Sequence, residues 1–243
     1  MNLQNKNIII TGSTGGIGRE LVKSLDKEGA NLILISRSID ELRSLAKELK
    51  GDPHLFDCDF SNQKALEDLA KGLSKQFKVI DILINAAGIG VYKPIEEATI
   101  GDWNNSMDIN VTSSFIFIKE LSSNLQKSKD SLVLNIGSGA GVIPMAGRSI
   151  YCATKFAVRG LTLSLAEEFR GTSVGFSLIT LGSTLTGFGP KSFEEKKKEM
   201  ESGKAYFTPE WVAEKLTSII KDDGRQKEYT LFPSDYTSEW QQL

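Results

Sequence analysis

The sequence predicts an α/β fold, a doubly wound parallel sheet of about seven strands flanked by helices. Apolar runs such as residues 33–35 and 82–84 lack the polar alternation of a half-exposed strand, as expected for strands buried on both faces of a parallel sheet. These runs alternate with longer amphipathic segments, which is the order of a repeated strand and helix unit. No linker rich in Pro, Gly or Ser divides the 243 residues, so we predict a single domain over residues 1–243.

Seven segments have the length and the β-branched or apolar content of strands. They are Asn7–Thr11, Asn31–Ser36, His54–Asp57, Ile80–Asn85, Ser131–Gly137, Val174–Leu181 and Glu228–Phe232.

The first strand ends in a glycine-rich turn, Thr11-Gly12-Ser13-Thr14-Gly15-Gly16-Ile17-Gly18, and an amphipathic helical segment follows. Glycines let the backbone turn tightly and approach a pyrophosphate, and the helix N-terminus offers free N–H groups to the same anion. The turn therefore predicts a dinucleotide site. Its spacing fits TGxxxGxG through Gly12, Gly16 and Gly18, and equally TGxxGxxG through Gly12, Gly15 and Gly18.

The second strand runs into Ser36-Arg37-Ser38, where an NAD-selective fold usually presents an acidic residue to the ribose diol. Arg37 instead offers a charge-assisted, often bidentate, partner to a 2′-phosphate. We therefore predict that NADP (NADPH) is preferred over NAD, with hydroxyl donors from Ser13, Ser36 and Ser38. The alternative is an ordinary exposed arginine at the start of a helix.

Tyr151 and Lys155 lie four residues apart at the start of an apolar-rich run, so a helix would place them on one face. At about 4 Å and an effective dielectric of about 20, the lysine charge stabilises a phenolate by roughly 4 kcal/mol, which lowers a tyrosine pKa by about three units. Such a phenol would titrate near neutral pH and exchange a proton with an alcohol or carbonyl. The same spacing also suits an ordinary pair of side chains on a helix surface. The other motifs have to decide between a catalytic pair and a surface pair.

The segment 182–207 interrupts the alternation of strands and helices after the sixth strand. It has three early glycines and then a charged stretch, residues 194–199, which we interpret as a solvated helix face. Thr208-Pro209 follows as an N-cap and first-turn pair. An insertion beyond the carboxyl end of a strand lies where a ligand binds, so we predict a substrate lid over residues 182–207.

Composition excludes several classes of function. Lys and Arg (29) nearly balance Asp and Glu (31), so we expect no nucleic-acid partner. Cys58, Cys152 and the single His54 have no metal-ligand spacing, which predicts no metal site and a reduced, cytoplasmic protein. The apolar run at residues 8–10 is too short for a membrane segment, so we expect no membrane partner.

With these motifs, the chain resembles the short, single-domain branch of the short-chain dehydrogenase/reductase family over nearly its whole length. The glycine turn is similar to the family's cofactor turn, Asp59-Phe60 to its adenine contact, and Asn85-Ala86-Ala87-Gly88 to its segment after the fourth strand. Asn110, Ser138, Tyr151 and Lys155 match its catalytic tetrad. Gly182 and Thr186 match a segment that contacts the nicotinamide carboxamide, although Leu181 stands where the family often has proline.

The resemblance implies a Rossmann-type fold and a role for each tetrad residue. Tyr151 would be the general acid/base, and Lys155 would lower the pKa of Tyr151 and bind the nicotinamide ribose. Ser138 would polarise the substrate carbonyl. Asn110, on the preceding long helix, would hold a water that links Lys155 to solvent. The implied cofactor contacts are Gly12, Ser13, Thr14, Gly16, Ile17, Gly18, Ser36, Arg37, Asp59, Phe60, Asn85, Ala86, Gly88, Tyr151, Lys155, Gly182 and Thr186.

The predicted activity is hydride transfer between NADP(H) and a small carbonyl or secondary alcohol substrate. The chemistry is coherent by itself, because a carbonyl that accepts hydride develops a negative oxygen, which a hydroxyl and a phenol can stabilise and protonate. The alternative is an NADP-binding sensor or scaffold without turnover; such proteins often lose a tetrad residue, and all four are present here. The expected substrate pocket has walls at residues 89–94, 139–148 and the lid, with Arg148 as a candidate anion anchor.

We also expect a homodimer or homotetramer. Apolar residues of the helix after Tyr151, among them Phe156, Leu163 and Phe169, cover more than the stripe that one sheet would bury. The segment 111–121 is also apolar on several sides, and the family resemblance implies that these two helices meet their copies in a four-helix interface.

Overall fold

All seven predicted strands form in the computed structural model, which describes residues 1–236. They are β1 (Asn7–Thr11), β2 (Asn31–Ser36), β3 (His54–Asp57), β4 (Ile82–Asn85), β5 (Ser131–Ile136), β6 (Val174–Leu181) and β7 (Glu228–Leu231). Strand β4 starts two residues later than predicted because the N–H of Ile80 donates to the carbonyl of Asn124 at 3.2 Å instead of joining the sheet. Strands β5 and β7 each end one residue earlier than predicted.

Eight α-helices lie between the strands among the described residues. They are α1 (Gly16–Lys27), α2 (Ile39–Ala46), α3 (Gln63–Gln76), α4 (Ile100–Met107), α5 (Ser113–Leu125), α6 (Ser149–Glu168), α7 (Phe193–Glu201) and α8 (Pro209–Lys221). A π-helical turn, Asp108–Thr112, joins α4 to α5. Helix α8 begins as predicted, with the Thr208 hydroxyl accepting from the N–H of Trp211 and with Pro209 in the first turn.

The strands form one parallel sheet in the order β3-β2-β1-β4-β5-β6-β7. The chain moves outwards from β1 through β2 to β3, then crosses back and continues from β4 on the other side of β1. This reversal between β1 and β4 leaves a crevice at the carboxyl ends of the two strands, and ligands bind at such a switch point in open α/β sheets. The predicted doubly wound, Rossmann-type fold is confirmed.

Two apolar cores cover the two faces of the sheet. Residues of α1, α2 and α8 pack with Ile8, Ile10, Leu34 and their neighbours on one face. Residues of α3, α5 and α6 pack with Ile9, Ile33, Leu83 and Val133 on the other. Successive strand residues therefore point into different cores, which explains why their runs lack polar positions.

The last part of the predicted domain, residues 237–243, lies outside the described residues. Within residues 1–236, no helix combines the length and the hydropathy needed to cross a membrane.

Candidate active site

A cleft of about 760 Å³ runs along the carboxyl ends of the strands, at the switch point between β1 and β4. The glycine turn, the segment after β4, Tyr151 and the segment after β6 all line it, and Gly16 of the turn lies against Thr186 of the segment after β6. The volume is within the range of about 300–1,000 Å³ typical of ligand sites.

Packing distinguishes the two spacings that fit the glycine turn. Gly12 has φ +67°, and a Cβ there would lie 2.7 Å from the backbone N of Ala87. A Cβ on Gly18 would lie 2.2 Å from the carbonyl oxygen of Gly12, whereas one on Gly15 would approach this oxygen only to 3.3 Å. A Cβ on Gly16 would lie 2.6 Å from Cγ2 of Thr186. The close approaches at Gly12, Gly16 and Gly18 favour the TGxxxGxG spacing.

Replacing Gly18 with Ala is therefore expected to destabilise the turn. The methyl group would overlap a backbone oxygen that cannot move without opening the turn, and overpacking of this kind costs about 1–3 kcal/mol in the free energy of unfolding. Urea unfolding of Gly18→Ala beside Gly15→Ala measures the difference. Equal losses for the two variants would contradict the assignment, because the Gly15 methyl would lie 3.3 Å from the Gly12 oxygen whereas the Gly18 methyl would overlap it at 2.2 Å.

Backbone N–H groups hold the segment after β4 beside this turn. The Thr11 hydroxyl oxygen accepts from the N–H groups of Ala86 and Ala87, both at 3.2 Å. The Asn110 amide then fixes Ile89 from both sides, since Oδ1 accepts from the N–H of Ile89 at 2.8 Å and Nδ2 donates to its carbonyl at 2.9 Å. The middle of the cleft is thus a preorganised backbone surface.

Most predicted site residues line the cleft. They are Gly12, Thr14, Gly16, Ile17, Gly18, Ser36, Arg37, Phe60, Ala86, Gly88, Ser138, Tyr151, Lys155, Gly182 and Thr186.

Four predicted site residues lie behind or beside the lining. Ser13 is buried and its hydroxyl donates to the carbonyl of Ile35 at 3.2 Å. Asn85 is buried and its amide donates to Oδ1 of Asn135 at 2.8 Å. The exposed Asp59 accepts from the N–H and the hydroxyl of Ser61 at 2.9 and 2.8 Å. With Asn110, these side chains stabilise the loops that form the cleft.

Arg37 is exposed and lines the cleft just after the carboxyl end of β2, the strand that pairs with β1. Ser36, beside it, lies with its Oγ 2.7 Å from Oγ1 of Thr14, which joins the end of β2 to the turn. Among the described residues Arg37 forms no ion pair within 4 Å, although its charge contributes to lowering the pKa of Asp59 and Glu41 also lines the cleft. The guanidinium is therefore available to a ligand.

Tyr151 is only 7% exposed and lies between two aromatic rings. Its ring centroid is 5.5 Å from that of Tyr92 and 5.9 Å from that of Phe188. Burial raises the pKa of the phenol, while a hydrogen bond with Ser138 and the charge of Arg148 pull that pKa down. The expected shift towards neutral pH is wrong for this structure, because burial outweighs the groups that favour phenolate.

Lys155 shares the α6 face with Tyr151, as the four-residue spacing predicts, but its ammonium binds elsewhere. Nζ donates to the carbonyl of Ile136 at 2.8 Å and lies 5.8 Å from the Tyr151 ring centroid. Lys155 is almost completely buried, and burial lowers its pKa to about 8. The ammonium is thus a partly desolvated cation between the tyrosine and the middle of the cleft.

Asn110 lies in the π-helical turn Asp108–Thr112 and not in a regular helix, contrary to its predicted position on a long helix. Besides its two bonds to Ile89, Nδ2 donates to the hydroxyl of Thr154 at 3.0 Å, which connects the turn to α6 next to Lys155. Single π-helical turns inside helices occur frequently at functional sites.

Lys196 was not predicted as a site residue, because it lies in the charged stretch interpreted as a solvated face. That interpretation is wrong for this residue, which is buried on α7. Its ammonium donates to the carbonyls of Thr184 at 3.3 Å, Thr186 at 2.8 Å and Phe188. Lys196 thereby ties α7 to the segment that follows β6, and the alternating charges around it gave no signal of this contact.

A model of the family described as short chain dehydrogenase matches residues 6–197 of this chain.

Curated and solved proteins resemble the chain along most of its length. D-threitol dehydrogenase of Mycolicibacterium smegmatis is 28% identical over 195 residues, which cover 79% of this chain and 75% of that protein. The NADP-dependent 3-hydroxy acid dehydrogenase of Shigella flexneri is 29% identical over 216 residues, or 85% and 86% of the two chains. An alcohol dehydrogenase from the archaeon Thermococcus sibiricus, solved in complex with 5-hydroxy-NADP, aligns with a TM-score of 0.83 at 26% identity and covers 94% of this chain and 96% of that one.

Proposed function

This chain belongs to the short chain dehydrogenase family, and from that premise we propose that it transfers a hydride between NADP(H) and a carbonyl or secondary alcohol, with Tyr151 as the general acid and base. Its relatives identify it as an NAD(P)-dependent oxidoreductase. The observation that carries the finer proposal is the buried Tyr151, which lines the cleft together with Ser138 and Lys155.

The residues of the cleft fit a dinucleotide. The glycine turn leaves no room for a Cβ at Gly12 or Gly18, and it leads directly into the N-terminus of α1, where free N–H groups favour a pyrophosphate. The nicotinamide supplies the hydride when NADPH is bound. Gly182 and Thr186 line the end where that ring would lie, beside Tyr151.

Each tetrad residue has a separate task in the proposal. The Ser138 hydroxyl orients the carbonyl, and Tyr151 gives its proton to the oxygen as negative charge develops there. Lys155 binds the nicotinamide ribose and favours phenolate once the proton has left. Asn110 holds a water that links Lys155 to solvent, so that the proton is replaced between turnovers.

The function is tested by following NADPH oxidation with a panel of aldehydes, ketones, oxo acids and oxidised polyols. Turnover of at least one carbonyl supports the proposal. Tight NADPH binding without turnover across the whole panel would favour a sensor, an alternative that the oxidoreductase names of the relatives do not favour. The relatives also leave the substrate open, since one acts on a polyol and another on hydroxy acids.

Arg37 is proposed as the residue that selects NADP. A charge-assisted pair with the 2′-phosphate contributes about 1.5–3 kcal/mol, so Arg37→Ala is expected to raise the Kd of NADPH roughly 10- to 150-fold. The Kd of NADH, which has no 2′-phosphate, should change by about twofold or less. Calorimetry with both nucleotides checks this, with Arg43→Ala, an exposed arginine of α2, as the matched control. Equal losses for the two nucleotides would refute the phosphate contact.

We propose a homodimer or homotetramer formed through α5 and α6. Phe115 on α5 is 49% exposed and Phe156 on α6 is 44% exposed, and both helices cover the same face of the sheet. Exposed aromatic side chains of this kind are typical of an interface. Sedimentation at micromolar concentration is expected to give two or four times the 26.7 kDa chain mass, and Phe156→Glu should shift the distribution to monomer. A monomeric wild type would overturn the assembly.

A cytoplasmic location is proposed from the cysteines. Cys58 and Cys152 are both free and buried, and free thiols without disulfides are typical of reducing compartments.

A further inference from the structure

Arg148 is a cation at the substrate end of the cleft with no carboxylate partner. It lies three residues before Tyr151 and lines the cleft with Tyr92 and Met145. The cleft lysines nearest to solvent, Lys191 and Lys204, both pair with Glu199. Within residues 1–236 no carboxylate lies within 4 Å of Arg148.

The Arg148 guanidinium is held in place by uncharged groups. Its Cζ lies 5.4 Å from the centroid of the Tyr92 ring, and Nη1 lies 3.5 Å from Sδ of Met145. Tyr92 in turn contacts Tyr151, with ring centroids 5.5 Å apart. A guanidinium placed over an aromatic face in this way keeps N–H groups free for an anion. One ring therefore positions both the cation and the phenol.

The position of Arg148 works against the stability of the fold. It is the N-cap of α6, where Ser, Thr, Asp or Asn would accept a hydrogen bond, and its side chain makes no cap bond. No acidic residue in the first turn balances its charge, and a cation at a helix N-terminus opposes the helix dipole by about 0.3–1 kcal/mol. The contacts of Arg148 with Tyr92 and Met145 leave its charge without an anion, which points to an anionic ligand.

We propose that the substrate is a short oxo or hydroxy carboxylate whose carboxylate binds Arg148 while its carbonyl or hydroxyl lies at Ser138 and Tyr151. The inference rests on the proposed function and names the substrate class of the same site. In the reduction, the carbonyl carbon accepts the hydride of NADPH and the oxygen accepts the Tyr151 proton, which gives the hydroxy acid and NADP⁺. The carboxylate is unchanged and serves only for recognition, so Arg148 is a specificity-determining residue.

The first experiment compares each acid with its ester. NADPH oxidation is followed with 2-oxobutanoate and 3-oxobutanoate, each beside its methyl ester, for wild type, Arg148→Gln, Arg148→Lys and the control Arg170→Gln. A charge-assisted contact of about 1.5–3 kcal/mol corresponds to a preference for acid over ester of roughly 10- to 150-fold in kcat/KM. Arg148→Gln should abolish this preference, Arg148→Lys should restore part of it, and Arg170→Gln should keep it. An equal preference in wild type and Arg148→Gln would overturn the proposal.

A second measurement does not depend on turnover. Calorimetry with butanoate and butanamide on the protein with NADPH is expected to show binding of the acid only, and to show none with Arg148→Gln. Arg148→Ser, which supplies an N-cap acceptor, should also lose the acid but raise Tm, so that loss of binding cannot be due to unfolding. If butanoate binds through Arg148 and no carbonyl is reduced, the anion site stands and the proposed function falls. If butanoate and butanamide bind equally, the anion site falls.

Discussion

Replacing Tyr151 with Phe is expected to lower kcat for carbonyl reduction by a factor of about 10² to 10⁴, the usual contribution of a positioned acid or base. This factor corresponds to about 3–5 kcal/mol of the activation barrier. The ring stays the same, so its contacts with Tyr92 and Phe188 persist and the Kd of NADPH should change little. Only the proton donor is removed, which separates chemistry from binding.

The raised pKa of Tyr151 adds a pH dependence to this result. Burial keeps the phenol protonated at neutral pH. The phenol therefore already carries the proton that it donates to the substrate oxygen during carbonyl reduction. The wild-type reduction rate should therefore fall at alkaline pH, as the phenol ionises, and the residual rate of Tyr151→Phe should lack this decrease. Stopped-flow measurement of NADPH oxidation across pH 6 to 11 records both curves.

The control for this variant is Tyr229→Phe, the same chemical change on β7, where the hydroxyl accepts from the N–H of Gln226 at 2.8 Å. Tyr229 is not among the residues that line the cleft, so its rate should match wild type. A kcat for Tyr151→Phe close to that of Tyr229→Phe would contradict the role of Tyr151 as acid and base.

The fold was predictable because its central strands are buried on both faces. Strands such as β1 and β2 contain consecutive apolar residues that pack into opposite cores. The ends of such an apolar run indicate closely where the strand begins and ends. The beginning of β4 was not predictable, since Ile80 is as apolar as a strand residue. Only the tertiary hydrogen bond from its N–H to the carbonyl of Asn124 removes it from the sheet.

Most of the residues that line the cleft were predictable, but their electrostatics were not. Spacing places Tyr151 and Lys155 on one helix face, and the structure agrees. The carbonyl of Ile136 lies at the end of β5, far from Lys155 in the sequence, so the sequence could not indicate that it binds the ammonium, which lies 5.8 Å from the Tyr151 ring centroid. The same reason applies to Lys196, whose burial depends on how α7 folds over the carbonyls of the preceding segment.

Replacing Lys155 with Met is expected to reduce cofactor binding and to change how stability depends on pH. Loss of a charged donor to the nicotinamide ribose removes about 1.5–3 kcal/mol, so the Kd of NADPH should rise roughly 10-fold or more. Methionine fills nearly the same space with an apolar chain, so the core around α6 remains packed. Calorimetry with NADPH measures the first effect.

The second effect follows from the lowered pKa of Lys155. Between about pH 8 and the ordinary value of 10.5, the unfolded chain binds a proton at this lysine that the folded chain does not, so wild-type stability gains from Lys155 as pH rises through this window. Below pH 8 the folded protein carries the full cost of the buried charge, about 3 kcal/mol for this difference in pKa. Methionine carries no such cost at any pH.

The free energy of unfolding of Lys155→Met, relative to that of wild type, should therefore be highest at pH 7. It should fall by about 3 kcal/mol relative to wild type as the pH approaches 10.5. The unpaired carbonyl of Ile136 subtracts about 1–3 kcal/mol at every pH, which shifts the comparison without changing its slope. Urea unfolding of both proteins at pH 7 and pH 10 measures the slope, with the exposed Lys129→Met as control. If the difference in the free energy of unfolding between Lys155→Met and wild type is the same at both pH values, burial of the Lys155 ammonium does not destabilise the fold. The charge beside Tyr151 is then held without a loss of stability.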